Sequence, residues 1–203
     1  VILMRYIVAL FLITALLVSC SSPPKDVPSA DIKEKTPPPE TIPDVSSTPP
    51  FPPVDTPPDG DAVPLDKAKS SFEFEGFGPG KSHIGTFEDM DGVLIVRDGV
   101  IVGASGAIQS GSVNTGIDGL DKHLKNEDFF DVALYPEISF YGEISDGMLT
   151  GPLTFHGVTH TVSYPVEVGD NSVSADFLLD TTPFNIKYIG INKDVRITFT
   201  AAS

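Results

Sequence analysis

The sequence predicts an all-β, antiparallel domain that contains one short helix and follows a long proline-rich segment. From about residue 137 to the end, apolar residues alternate with polar or charged ones at a period of two, which is typical of strands with one dry and one wet face. The dipeptide Asp98-Gly99 lies between two apolar runs and favours a tight hairpin turn. Finally, 14 of the 19 prolines fall between Ser21 and Asp66, where they disfavour both helix and central strand.

About eight strands are predicted, at the spacing of an up-and-down barrel or a sandwich. The segments with strand character are 71–77, 84–90, 93–96 with 100–107, 138–144, 149–155, 158–168, 173–179 and 195–199. An eight-stranded barrel is just wide enough to be filled by side chains or to hold one small ligand. The alternation alone favours barrel and sandwich equally.

The predicted helix lies between the strands, in the polar stretch that follows Asn114-Thr115-Gly116. Ile117, Leu120, Leu124 and Phe129 could line one face of it. Such a short helix needs to pack against another element to be stable.

The N-terminus has the features of a bacterial lipoprotein signal over residues 1–19. Arg5 precedes an apolar run of about a dozen residues, which is short for a spanning helix and typical of a signal-peptide core. The run ends in Leu17-Val18-Ser19-Cys20, which resembles a lipobox, and Cys20 is the only cysteine of the chain. We therefore expect lipidation of Cys20 and an extracytoplasmic, membrane-anchored location in the cell envelope. The alternatives are a cleaved secretory signal with an incidental cysteine, or an uncleaved anchor. By resemblance to diderm lipoproteins, Ser21 favours the outer membrane where the organism has one.

Residues 20–66 are predicted to be the lipid anchor and a disordered tether, and residues 67–203 the domain. The tether has too few apolar residues to offset the entropy of ordering. At roughly 3.1 Å per residue, a polyproline II tether of this length would reach on the order of 140 Å.

Composition excludes several classes of partner and site. The net charge of −15 and the pI near 4.4 argue against nucleic acid and against a basic patch for anionic lipid. A single cysteine excludes an internal disulfide and a cysteine-rich metal site.

Catalysis is not expected, and no cofactor is predicted. The serines lack a nucleophile-elbow context, and no pair of carboxylates is placed as an acid–base couple. The acidic residues between Asp118 and Asp131 lack the spacing of a calcium loop and are expected to form a solvated face. His156 and His160 flank a turn and leave a metal-dependent enzyme as a weaker alternative.

Four landmarks along the chain resemble one known family. In order, they are NTG at 114–116, DKHLKNEDFFD at 121–131, YPEISF at 135–140 and LTGPLTFHGVTH at 149–160. Over roughly residues 70–202 the chain resembles the YceI family. The resemblance implies a lipocalin-like barrel whose interior holds a long-chain isoprenoid or similar apolar lipid. Two positions depart from the family pattern: Leu120 or Gly119, depending on the alignment, stands where an arginine is common, and Asp180-Thr181-Thr182 replaces a usual acidic–basic pair.

The predicted ligand site is the set of large apolar side chains on the dry faces or in the family motif. It comprises Phe72, Phe74, Phe130, Phe140, Leu153, Phe155, Val162, Tyr164, Phe177 and Phe199. The leading hypothesis is a lipid-anchored protein that binds or carries a polyisoprenoid and contacts the membrane through acylated Cys20. The alternative is a non-enzymatic structural or partner-binding surface module with a solid barrel core.

Overall fold

The computed structural model describes residues 21–34, 59–186 and 191–203, and its elements are almost all strands. The strands are β1 Asp31–Glu34, β2 Asp61–Pro64, β3 Ser71–Gly78, β4 Lys81–Phe87, β5 Met90–Arg97, β6 Val100–Gln109, β7 Val113–Asn114, β8 Glu137–Ser145, β9 Met148–Phe155, β10 Val158–Pro165, β11 Glu167–Val168, β12 Ser172–Asp180 and β13 Asp194–Ala202. The α-helix α1 spans Asp118–Leu124, and 3-10 turns span Ser110–Ser112 and Thr182–Phe184. In the described part of the chain, no helix is long and apolar enough to span a bilayer.

The strands form two antiparallel sheets that pack around a common core. One sheet has the order β1-β10-β9-β8-β6-β5-β2, and the other has the order β11-β12-β13-β3-β4-β7. β4 leads into β5, β6 into β7 and β10 into β11, so that each pair acts as one bent strand shared between the sheets. Counted in this way, and leaving out the four-residue edge strands β1 and β2, the wall has eight strands, and the prediction of an antiparallel all-β fold is confirmed. Among residues 21–34, 59–186 and 191–203, the strand ladders of the two sheets do not close into one barrel, and between the sheets there are only the individual backbone hydrogen bonds described below.

Local sequence explains the tight turns and the single helix. Asp98 and Gly99 both have positive φ, 52° and 77°, which is the backbone that a two-residue hairpin needs. The predicted short helix is present as α1, and its Leu124 is buried in the core. Ile117, which was predicted to share the apolar face, instead lies just before the helix and is 48% exposed.

The prediction of a disordered tether is wrong for residues 21–34, the first part of it that the structure describes. Residues 21–34, here called the N-terminal strap, lie against the barrel. β1 pairs with β10 from Asp31 opposite Ser163 to Glu34 opposite His160. Just before β1, the Leu178 N–H donates to the Pro28 oxygen and the Ala30 N–H to the Leu178 oxygen, both at 2.8 Å. Because β10 and β12 belong to different sheets, the strap closes the seam between them.

The second described part of the predicted tether closes the other seam. β2 pairs with β5 at the edge of the first sheet. The Leu65 N–H then donates to the Gly92 oxygen at 3.0 Å, and the Asp66 N–H to the Ala202 oxygen of β13 at 2.7 Å. The ordered domain therefore begins before residue 67. The predicted signal peptide 1–19, Cys20 and residues 35–58 of the predicted tether lie outside the described residues.

An ion pair on the outside of the second sheet gives the stability of the domain a pH dependence. Arg196 donates from Nε and Nη2 to the two carboxylate oxygens of Asp176 at 2.7 and 2.6 Å. The hydrogen bonds from Arg196 hold the pKa of Asp176 below its ordinary value of 3.8. Because the folded-state pKa is lowered, the stabilisation is present above the unfolded pKa and is lost as pH falls through the folded value.

Asp176→Asn is expected to remove this contribution. The carboxylate is 43% exposed, so we expect a loss of no more than about 1 kcal/mol near neutral pH. The difference from the parent protein should vanish in acid, as measured by urea unfolding at about pH 7 and about pH 2. A difference of the same size at both pH values would contradict this role for the pair.

Candidate functional site

A cavity of about 290 Å³ lies between the two sheets. Its lining includes all ten side chains that alternation and family motif predicted, namely Phe72, Phe74, Phe130, Phe140, Leu153, Phe155, Val162, Tyr164, Phe177 and Phe199. The structure thus brings the whole predicted set together. Their contact with a ligand stays a prediction.

Aromatic rings paired across neighbouring strands form one wall of the cavity. Phe72 of β3 lies directly opposite Phe199 of β13, and the two rings are nearly parallel with centroids 6.5 Å apart. Tyr164 of β10 stacks on Phe177 of β12 at 4.1 Å, which joins the two sheets through side chains. Phe199 also meets Tyr164 edge-on at 6.1 Å. Such pairs add to the stabilisation from burial and hold the wall in one shape.

The segment that follows α1 caps the cavity with Phe130. The Phe130 ring lies 6.3 Å from Phe74, 5.6 Å from Phe87 and 5.9 Å from Phe155, so it joins strands of both sheets. Its backbone N–H donates to the oxygen of Leu124, the last residue of α1. The orientation of the helix therefore fixes the position of the cap.

The start of α1 is held by a carboxylate that binds the preceding loop. Asp121 accepts the backbone N–H of Thr115 at 2.8 Å and its hydroxyl at 2.6 Å. These hydrogen bonds lower the pKa of Asp121 from its ordinary value. The acidic character of this segment thus includes one structural carboxylate.

The cavity offers little to a charged group. The described residues that line it include no Lys or Arg. Tyr164 is buried, and burial alone raises the pKa of its hydroxyl well above the ordinary value, so the phenol stays neutral. Ser139 is a further buried polar side chain of the lining. The arrangement can enclose an apolar chain, and the ionisable side chains of its described lining are Asp91, His83, His123 and Tyr164.

Several lining residues lie outside the ten that were predicted as the ligand site. They are Leu65, Leu120, Ile191 and the small residues Ala104, Gly106 and Ala107 of β6. Alternation could have identified the dry face of β6, but small side chains give a weak periodic signal. Leu65 and Ile191 lie outside the strands, and their positions depend on tertiary contacts alone.

The lining includes four exposed residues, namely Ser71, Asp91, His123 and Ile191, so the cavity approaches the surface in more than one place. One of these places is beside the turn between β3 and β4, where Gly78 also lines the cavity. The Asn192 N–H donates to the Phe77 oxygen at 2.9 Å, which places Ile191 next to this turn. We call this opening, formed by Gly78, His123 and Ile191, the cavity mouth.

His156 and His160, the candidates for a metal site, have other surroundings. Nε2 of His160 lies 3.0 Å from the Pro183 oxygen, and its ring meets Phe184 edge-on. The His156 ring packs on Tyr135 with centroids 4.7 Å apart. Within residues 21–34, 59–186 and 191–203, no three His, Cys, Asp or Glu residues converge as metal ligands.

Comparisons with known proteins identify relatives of this chain. Seven curated relatives match, among them UPF0312 proteins of Staphylococcus aureus strains USA300 and MW2. Each of these two is 31% identical over 107 residues, covering 51% of this chain and 63% of the relative. The match therefore spans less than two thirds of the length of these relatives.

Two solved structures share the fold. Burkholderia cenocepacia BcnA superposes with a TM-score of 0.62 at 20% identity, covering 68% of this chain and 99% of BcnA. A polyisoprenoid-binding domain from Saccharophagus degradans, implicated in plant cell wall breakdown, superposes with a TM-score of 0.56 at 15% identity. That alignment covers 68% of this chain and 95% of the other. The model of the YceI-like domain matches residues 64–202. The chain therefore belongs to the YceI-like domain family.

Proposed function

We propose that this protein is a lipid-anchored protein of the cell envelope whose barrel binds a long-chain isoprenoid or a similar apolar lipid. The observation that carries the proposal is the aromatic-walled cavity without Lys or Arg among its described lining residues. Binding is sequestration: the protein withdraws apolar surface from water, at roughly 25 cal/mol per Å², without covalent chemistry.

The size of the cavity constrains how such a ligand is held. At about 290 Å³, the cavity lies near the lower end of the range for small-molecule sites, roughly 300–1,000 Å³. A short apolar chain fits inside, and a long isoprenoid extends from the cavity mouth. The polyisoprenoid-binding domain from Saccharophagus degradans shares the fold and supports this ligand class.

Anchoring is supported by the N-terminal sequence. The apolar run that ends in a lipobox-like sequence at Cys20 is typical of an exported lipoprotein. Two or three acyl chains on Cys20 would hold the protein stably, since each buried CH₂ contributes about 0.8 kcal/mol. In a diderm organism, Ser21 favours delivery to the outer membrane.

Native mass spectrometry of residues 21–203, expressed without the anchor in a bacterium that makes prenyl lipids, tests the ligand. This form keeps the N-terminal strap and β2, both of which pair with the barrel. We expect a stoichiometric apolar adduct of prenyl mass, and solvent extraction would identify it. An apo mass that is unchanged after incubation with prenyl lipids would instead favour the alternative, a structural or partner-binding module that acts through its outer surface.

A further inference from the structure

We infer that the acylated protein sits with its cavity mouth against the bilayer, so that an apolar lipid passes directly between membrane and barrel. The inference rests on the proposed lipidation of Cys20. It replaces the picture of a barrel held far from the membrane on a long tether.

The first step is the position of the chain next to Cys20. The Ser21 hydroxyl donates to the Gly78 oxygen at 2.9 Å, and Gly78 lines the cavity at its mouth. Consecutive Cα atoms are about 3.8 Å apart, so the Cα atom of Cys20 is at that distance from the Cα atom of Ser21, whose side chain makes this contact. Acyl chains on Cys20 therefore emerge beside the opening.

The second step is that the later half of the N-terminal strap, from Pro28 to Glu34, is held on the two sheets. The backbone bonds of Pro28 and Ala30 to Leu178 are followed by four paired residues of β1 on β10. Leu178 lies between the cavity-lining Phe177 and Leu179, so alternation turns its side chain outward, yet only 7% of it is exposed. The strap, which is bonded to this residue, accounts for its burial.

The third step concerns the proline-rich residues 35–58. They connect β1 to β2, and both strands belong to the same seven-stranded sheet. A segment whose two ends are fixed on one sheet cannot lengthen the distance from anchor to barrel. The reach of the protein is set by the residues before the strap and not by its proline content.

The fourth step is the chemistry of the surface beside the mouth. Ile191, at the mouth itself, is 39% exposed. Ile84 on strand β4 is 52% exposed, on an outer face that it shares with Glu75 and Arg196. With a net charge of −15, the protein gains nothing from anionic lipid, so we commit to a zwitterionic lipid surface as the partner. A long isoprenoid that extends from the mouth then keeps its free end within the bilayer.

Site-specific fluorescence on the acylated full-length protein in phosphatidylcholine vesicles tests this orientation. Acylation occupies the thiol of Cys20, so one introduced cysteine is the sole free thiol. Lys81→Cys places the fluorophore on the exposed turn beside the mouth. Asp170→Cys places it in the exposed turn just before β12, about 25 Å along that strand from the mouth end.

We expect a quencher carried in the vesicle lipid to quench the Lys81→Cys label at least about threefold more strongly, because interfacial contact is only about 5–10 Å deep. Equal quenching, or stronger quenching at Asp170→Cys, in protein of acylated mass overturns the orientation and leaves the anchor standing. If the expressed full-length protein lacks the acyl mass and does not bind the vesicles, the proposed anchor is wrong, and the inference fails with it.

Two variants of the N-terminal strap test whether its attachment to the sheets causes this orientation. Ala30→Pro removes the N–H that donates to Leu178, whereas Ala30→Ser keeps it. We expect both proteins to stay bound to vesicles through their acyl chains. The ratio of quenching at the Lys81→Cys label to quenching at the Asp170→Cys label should fall to about one in Ala30→Pro and stay high in Ala30→Ser. A ratio that stays high in Ala30→Pro would overturn the role of the strap.

Discussion

Ala104→Phe is expected to abolish lipid binding while the fold remains in place. Ala104 is a core residue of β6 that lines the cavity and is only 8% exposed. The new ring enters the space that an apolar ligand would fill. We expect affinity for a neutral prenol to fall at least about 100-fold, which corresponds to about 2.7 kcal/mol. Because the ring enters a cavity, its cost to stability should stay at or below the roughly 1–3 kcal/mol of an overpacked core.

Val100→Phe provides the matched control on the same strand. Val100 begins β6 and is 60% exposed, so the added ring points to solvent. Prenol binding, measured by fluorescence titration or native mass spectrometry, should be unchanged in this variant. If Ala104→Phe bound prenol like the parent protein, the ligand would lie outside the cavity.

Phe184→Ala is expected to cause the largest loss of stability, about 3–5 kcal/mol. Phe184 is fully buried in the 3-10 turn between β12 and β13. Its ring packs on Phe155 at 5.7 Å and on His160 at 5.2 Å, which ties this turn to strands of the other sheet. Removing the ring leaves a void between the sheets, next to the wall of the cavity.

Urea unfolding of residues 21–203 measures this loss. A domain of ordinary stability has about 5–15 kcal/mol, so we expect the midpoint to fall sharply. Leu134→Ala is the control, because Leu134 is 64% exposed and its truncation should change stability by less than about 0.5 kcal/mol. A cost below about 1 kcal/mol for Phe184→Ala would mean that the sheets close over the missing ring.

The wall of the barrel could be predicted from sequence because it depends on a local rule. Side chains alternate along a strand, so Phe72 and Phe74, or Phe177 and Leu179, must share a face. Where one face of a strand is buried, its apolar residues mark that face, and this pattern identified the interior face of each long strand. The same rule put nine of the ten predicted side chains on one cavity, and the family motif supplied the tenth, Phe130.

The strap and β2 could not be predicted because the energy that orders them comes from the rest of the fold. Asp31–Glu34 and Asp61–Pro64 are four residues each and lie among prolines, so their own propensity for strand is low. They are ordered because the edges of β10 and β5 offer unpaired backbone groups. Only the pairing itself identifies them.

The cap over the cavity was predicted in part. The amphipathic pattern indicated a short helix, and α1 forms there with Leu120 and Leu124 packed on the core. The position of Phe130 depends on a backbone bond to Leu124 and on positive φ at Asp131. Turn geometry of this kind follows from tertiary contacts and leaves little trace in the periodicity.

The pairing of β3 with β13 has a consequence for the order of assembly during synthesis. The Ser70 hydroxyl donates to the Ala202 oxygen across 132 positions, and Phe72 meets Phe199 only when β13 has been made. Folds dominated by such distant pairings fold slowly, over milliseconds to seconds. The cavity is therefore completed only after β13 has been synthesised, and a chain released before β13 lacks one wall of the site.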